Sequence, residues 1–125
     1  MIQEIIKKYD RFPDALILEI NFKSITATLF KGDVAVTLRC KNHQADFKWE
    51  VVRLTFSEVV SFRFIEHIDA SSVIVYAAMI QESEGIITFD FFPLMYGAFD
   101  LRENKDSDFM IKSRSVSYEV LGTIG

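Results

Sequence analysis

The stretch Val34–Ala35–Val36–Thr37–Leu38–Arg39–Cys40 decides the fold. Val34, Val36, Leu38 and Cys40 take alternate positions, with Thr37 and Arg39 between them. A period of two belongs to an extended strand with one face in a core and the other toward water. Just before it, Lys31–Gly32–Asp33 is a turn signal, because glycine readily takes the positive φ of tight turns. The polar residues 41–48 after it read as a loop.

The same alternation recurs on both sides. Upstream, Leu16, Leu18, Ile20 and Phe22 alternate with Ile17, Glu19 and Asn21, and Ile25, Ala27 and Leu29 continue the pattern beyond a tight link at Lys23–Ser24. Downstream, Val52, Leu54 and Phe56 share the inward face of a strand over 49–56, opposite Val51, Arg53 and Thr55. Val60, Phe62 and Phe64 form another set, although Ser57–Glu58 could open a short helix instead. Residues 73–80 are rich in β-branched side chains and predict a strand. Glu82–Ser83–Glu84–Gly85 predicts a hairpin turn into a strand over 86–92. Residues 94–101 fit neither period, and 109–120 read as one long strand or two short ones.

Only the N-terminus is helical in pattern. Ile2, Ile5, Ile6 and Tyr9 recur at spacings of three and four, with Gln3, Lys7 and Lys8 on the other side. Pro13 stops that helix, since its ring cannot continue the hydrogen-bond ladder. The expected fold is mainly β (a β-dominated α+β chain): an antiparallel sandwich or strongly curved sheet of seven to nine short strands, with a short N-terminal helix. Residues 1–125 carry no linker or repeat and form one domain.

Composition narrows the function classes. Of 125 residues, 50% are hydrophobic and 14% aromatic, enough to bury a core and to exclude intrinsic disorder. The net charge of -4 argues against a nucleic-acid coat, which needs a concentrated positive field. No apolar run approaches the ~20 residues that cross a bilayer, so no membrane role is expected. The first residues lack the apolar middle of a secretory signal, and a single cysteine, Cys40, allows no internal disulfide. Both features point to the cytoplasm.

The catalytic and metal constellations fail on spacing. His43 and His67 sit on different segments with no paired-ligand spacing, and the serines fall in no nucleophile motif. Cys40 belongs to an inward strand position, where a thiol behaves as a small apolar group; a nucleophile paired with His43 is the minor alternative. The acidic segment 100–108 lacks the glycine and glutamate of a calcium loop, with Lys105 and Lys112 in their places. No catalytic residue, metal site or cofactor is expected. Aromatic residues are the more telling feature. Phe89, Phe91, Phe92, Tyr96 and Phe99 crowd around Pro93. Phe89 and Phe91 share a core face, while Phe92, Tyr96 and Phe99 read either as a second layer of core or as an exposed patch that binds a protein partner or a second copy. The competing reading is a small-molecule-binding domain or weak enzyme with a cavity in the curved sheet, using Arg63, Glu66, His67 and Tyr76.

Phe12–Pro13–Asp14–Ala15 before Ile17 and Ile20, the stretch Leu54–Thr55–Phe56–Ser57–Glu58–Val59–Val60–Ser61–Phe62, and the closing Ser117–Tyr118–Glu119–Val120 occur in an order that resembles small β-rich bacterial families typified by immunity proteins of polymorphic toxin systems. In those families an aromatic, a histidine and an aspartate open the first strand; here Pro13 stands where that histidine would be, so any role of the histidine is absent. The resemblance implies a cytoplasmic binding protein that neutralises a toxin by covering it.

Overall fold

The computed structural model describes residues 1–24, 32–69, 71–97 and 100–124. It holds one helix, α1 (Ile2–Tyr9), and nine strands among the described residues: β1 (Ala15–Ser24), β2 (Gly32–Asn42), β3 (Lys48–Phe64), β4 (Ile74–Val75), β5 (Met79–Ser83), β6 (Ile86–Asp90), β7 (Leu94–Met95), β8 (Leu101–Arg102) and β9 (Phe109–Ile124). Seven pair in the order β4-β1-β2-β3-β9-β6-β5, all antiparallel, as one curled half-barrel; β7 and β8 form a separate ribbon. Of the two expected architectures, the strongly curved sheet is the one found.

The β2 alternation sets the register of the centre. Val34, Val36 and Leu38 lie opposite Phe56, Leu54 and Val52 of β3, and Leu54 and Phe56 lie opposite Tyr118 and Val116 of β9. A one-residue slip would turn every one of these side chains to water, so the apolar parity locks the pairing. The helix covers the concave face with Ile2, Ile5 and Tyr9 buried, on the side its spacing predicts. Full burial of a side chain such as Ile5 contributes about 1.5–3 kcal/mol. Asp10 and Phe12 take φ of 54° as the chain leaves the helix, which drives the Phe12 ring into the core.

Four expectations need correction. In β1 the buried residues are Ala15 and Ile17, while Leu18 is exposed. A bulge at Leu18, where Ile17 faces Leu38 and Glu19 already faces Thr37, reverses the parity and returns Ile20 and Phe22 to the inner side. The stretch 48–64 is one strand without a helix, and Val59 rather than Val60 is buried. Glu58 there takes φ of 54°, and an extra residue at Val60 shifts the pairing with β9; this bend curls the long β3–β9 pair. The expected strand over 73–80 is split into β4 and β5, because the Ala78 N–H leaves the sheet to donate to the Arg11 carbonyl at 2.6 Å. The strand expected over 86–92 ends at Asp90, whose carboxylate accepts the Phe92 N–H.

Of the open alternatives, 109–120 proves to belong to one strand running to Ile124. The hairpin at 82–85 is present, with Glu84 and Gly85 both at positive φ (54° and 78°), the signature of a type I′ turn. The expected continuation over Ile25, Ala27 and Leu29 lies outside the described residues, as does Lys31 of the predicted turn.

Candidate functional site

Around the helix exit, the chain builds a cleft of about 430 Å³ of mixed character, lined by the charged Asp10 and Arg11 together with Pro13, Tyr76, Ala77, Met95 and Leu101. A smaller hollow of about 100 Å³ shares Tyr76, Ala77 and Met95 and reaches Phe91, Phe92 and Pro93. Tyr76 is 71% exposed and Tyr96 61%, and Leu94 and Met95 stand open beside them. Large apolar side chains exposed in this way usually mark a surface that another molecule covers.

The ribbon that carries Met95 and Tyr96 is held from below. Asp90 is fully buried, and its carboxylate accepts the N–H groups of Phe92 at 3.0 Å and Asn104 at 2.7 Å. The Asn104 side chain donates back to the Phe92 carbonyl at 3.1 Å. β7 and β8 then pair, Leu94 with Arg102 and Met95 with Leu101, and the Tyr96 N–H reaches the Asp100 carbonyl. Arg102 lies 4.7 Å over the Tyr96 ring and makes a two-pronged contact with Asp100 at 3.1 and 3.0 Å. That guanidinium holds the Asp100 carboxyl below its ordinary range. Arg102 thus packs over an exposed aromatic ring.

The partner-binding candidates from the sequence separate here. Tyr96 stands exposed, Phe92 is part-buried against the core and lines the smaller hollow, and Phe99 lies outside the described residues. The four candidates of the rival reading do not form one group. Tyr76 lines the cleft. His67 pairs through Nε2 with Asp108 Oδ2 at 2.9 Å, and one Glu66 oxygen accepts the N–H groups of His67 and Ser72. Arg63 donates to the Lys105 carbonyl at 3.3 Å. These contacts tie two loops together at an exposed position, with each named group occupied by backbone or by its neighbour. Among the described residues, no three His, Cys, Asp or Glu side chains are placed to hold a metal ion.

A second polar group is buried under the helix. Glu50 accepts the Tyr9 hydroxyl at 2.8 Å and the Asn42 amide at 3.1 Å, and it faces Cys40 across the β2–β3 pair. Burial first, and the Glu50 hydrogen bond second, push the Tyr9 hydroxyl well above its ordinary value. Burial first, and Glu50's charge second, push the Cys40 thiol up to about 12. Such a thiol is protonated at neutral pH and chemically quiet. Native protein is therefore expected to resist a disulfide exchange reagent at pH 8 and to react only when unfolded; rapid reaction of the native form would contradict this. The sign of the linkage follows from the raised value. The Cys40 contribution is complete below its ordinary 9.0 and is lost as pH climbs toward about 12, so a Cys40→Ala variant should show a flatter alkaline fall in melting temperature.

Sequence reasoning missed Met95 and Arg102, because the ribbon has only two residues per strand and no readable period, and it missed Asp90 because the Asn104 amide it holds lies 14 residues away. It also missed Trp49, which the side chains of Arg39 and Lys41 cover at 4.7 and 5.1 Å on the outer sheet face. Lys41 lies directly opposite Trp49 in the register, a neighbourhood visible only once β2 and β3 are paired. Compared with known proteins, the chain matches no family model, no curated protein and no solved structure.

Proposed function

We propose that the protein is a non-enzymatic protein-binding module whose partner sits on the cleft lined by Tyr76 and Met95 and on the exposed Tyr96 next to Met95 in the chain. The observation that carries this reading is the exposure of large apolar side chains on a ribbon whose base is rigidly hydrogen-bonded. Ordered aromatic anchors lose little conformational freedom on association, which is why they recur at the centres of interfaces. The form of module we favour is an immunity-type inhibitor acting in the cytoplasm of a bacterium. Its net charge of -4 would speed encounter with a basic toxin, while the cleft takes apolar side chains from it.

The test is affinity capture from the native cells with wild type, Tyr96→Ala and Met95→Asp in parallel. A stoichiometric companion is expected with wild type, and its affinity should fall at least about tenfold in the variants. The melting temperatures should stay within about 2 °C, as for most surface changes. Recovery of the same companion by all three proteins would remove the cleft from the reading. The second reading, a small-molecule site, draws support from the cleft volume, since about 430 Å³ lies within the ~300–1,000 Å³ of ligand pockets. A compound that raises the melting temperature of wild type but not of a Tyr76→Ala variant would favour it.

A further inference from the structure

We infer that two copies of the chain join through their β1 edges, continuing the half-barrel sheet from one copy into the next. This rests on the reading of the chain as a protein-binding module but uses a different surface from the cleft. β4 covers β1 only at Ala15 and Leu16, with one more bond from the Ile17 N–H to the Val73 carbonyl at 2.8 Å. Beyond the Leu18 bulge, β1 runs on to Ser24 with β2 on one side and no described strand on the other. From Leu18 to Ser24 every residue but Ile20 is exposed, Phe22 at 45% among them. An open edge of this length is a template for another strand.

The sequence of that edge is complementary to itself. An antiparallel pairing with the two-fold axis at Asn21 sets Glu19 against the partner's Lys23 and Lys23 against the partner's Glu19. The same register sets Ile20 against the partner's Phe22 on the inner face, extending the stack in which Phe22 lies 6.1 Å from Phe62. Opposite charges on one face and apolar pairs on the other are the two cross-strand combinations that stabilise a sheet, and a two-fold axis repeats each of them. The other open edge lacks this property. In β5 a two-fold axis at Gln81 would set Ile80 against the partner's Glu82.

Sedimentation velocity across a concentration series tests the arrangement. Wild type is expected to sediment as a dimer of 14.4 kDa chains at high concentration. Lys23→Glu should weaken association at least about tenfold by opposing Glu19 of each copy. Lys23 also faces Asp33 within its own sheet, so that variant could act locally. The double variant Glu19→Lys/Lys23→Glu separates the two effects: it keeps the repulsion with Asp33 but restores both intermolecular pairs, and it is expected to dimerise again. Hydrogen exchange should independently show the Ile20 and Phe22 amides slowing as wild-type concentration rises. A wild-type monomer throughout, a Lys23→Glu dimer, or a double variant that stays monomeric overturns the inference. A monomer that still captures its companion through Tyr96 would leave the protein-binding reading standing. A self-restoring dimer that captures nothing would do the reverse.

Discussion

Phe89→Ala is expected to lower the free energy of unfolding by about 3–5 kcal/mol, a large share of the ~5–15 kcal/mol that holds a domain of this kind together. Phe89 is fully buried on β6 and sits where three parts of the core meet. Its ring lies 4.9 Å from Phe56 of β3 in a T-shaped contact, 6.4 Å from Phe12 at the helix exit, and 6.1 Å from Phe91 below the cleft. Truncation would open a cavity bounded by strand backbone on one side and by these rings on the other, so little collapse can fill it. Urea unfolding followed by circular dichroism measures the loss. A cost under about 1 kcal/mol would mean that the aromatic cluster repacks freely, contrary to the burial described.

Asp90→Ala is expected to cost about 2–4 kcal/mol by leaving two N–H groups without their charged acceptor. The Phe92 and Asn104 amides converge on the two oxygens of this one carboxylate, which fixes both ends of the excursion that carries β7 and β8. The loss should be local in its signature. Hydrogen exchange at Phe92 and Asn104 should accelerate far more than exchange at the centre of β2. Asp90→Asn, which keeps one oxygen as acceptor, should fall between wild type and Asp90→Ala. Unchanged exchange in the alanine variant would show that the ribbon is held by its apolar contacts alone.

The legible part of this chain was the part where side-chain period and burial coincide. Val34, Val36 and Leu38, and likewise Ile2, Ile5 and Tyr9, repeat with the period of their element and face the core as that period requires. The reading failed at Leu18 and at Val59–Val60, where a single unpaired residue reverses the parity. A bulge carries no mark in an apolar pattern, because both adjacent residues are apolar in each case. The candidate site was legible only as an aromatic crowd. Tyr96 was found from its excess over what a small core can hold, whereas Met95, Arg102 and the Asp90 brace depend on contacts between residues that have no periodic relation. Strand alternation sets Glu66 and His67 on opposite faces, and in the structure they share only the contact of the His67 N–H with the Glu66 carboxylate. The His67 partner, Asp108, lies 41 residues away, and nothing local announces it.

The most direct measurement is hydrogen exchange on the protein with its captured companion bound, compared with the protein alone. Binding at the cleft is expected to slow the amides of 76–77, 94–97 and 101–102 by about tenfold or more, leaving the Ile65–His67 loop unchanged. Equal rates at the cleft in the two samples, with protection appearing elsewhere, would contradict the assignment of that surface to the partner.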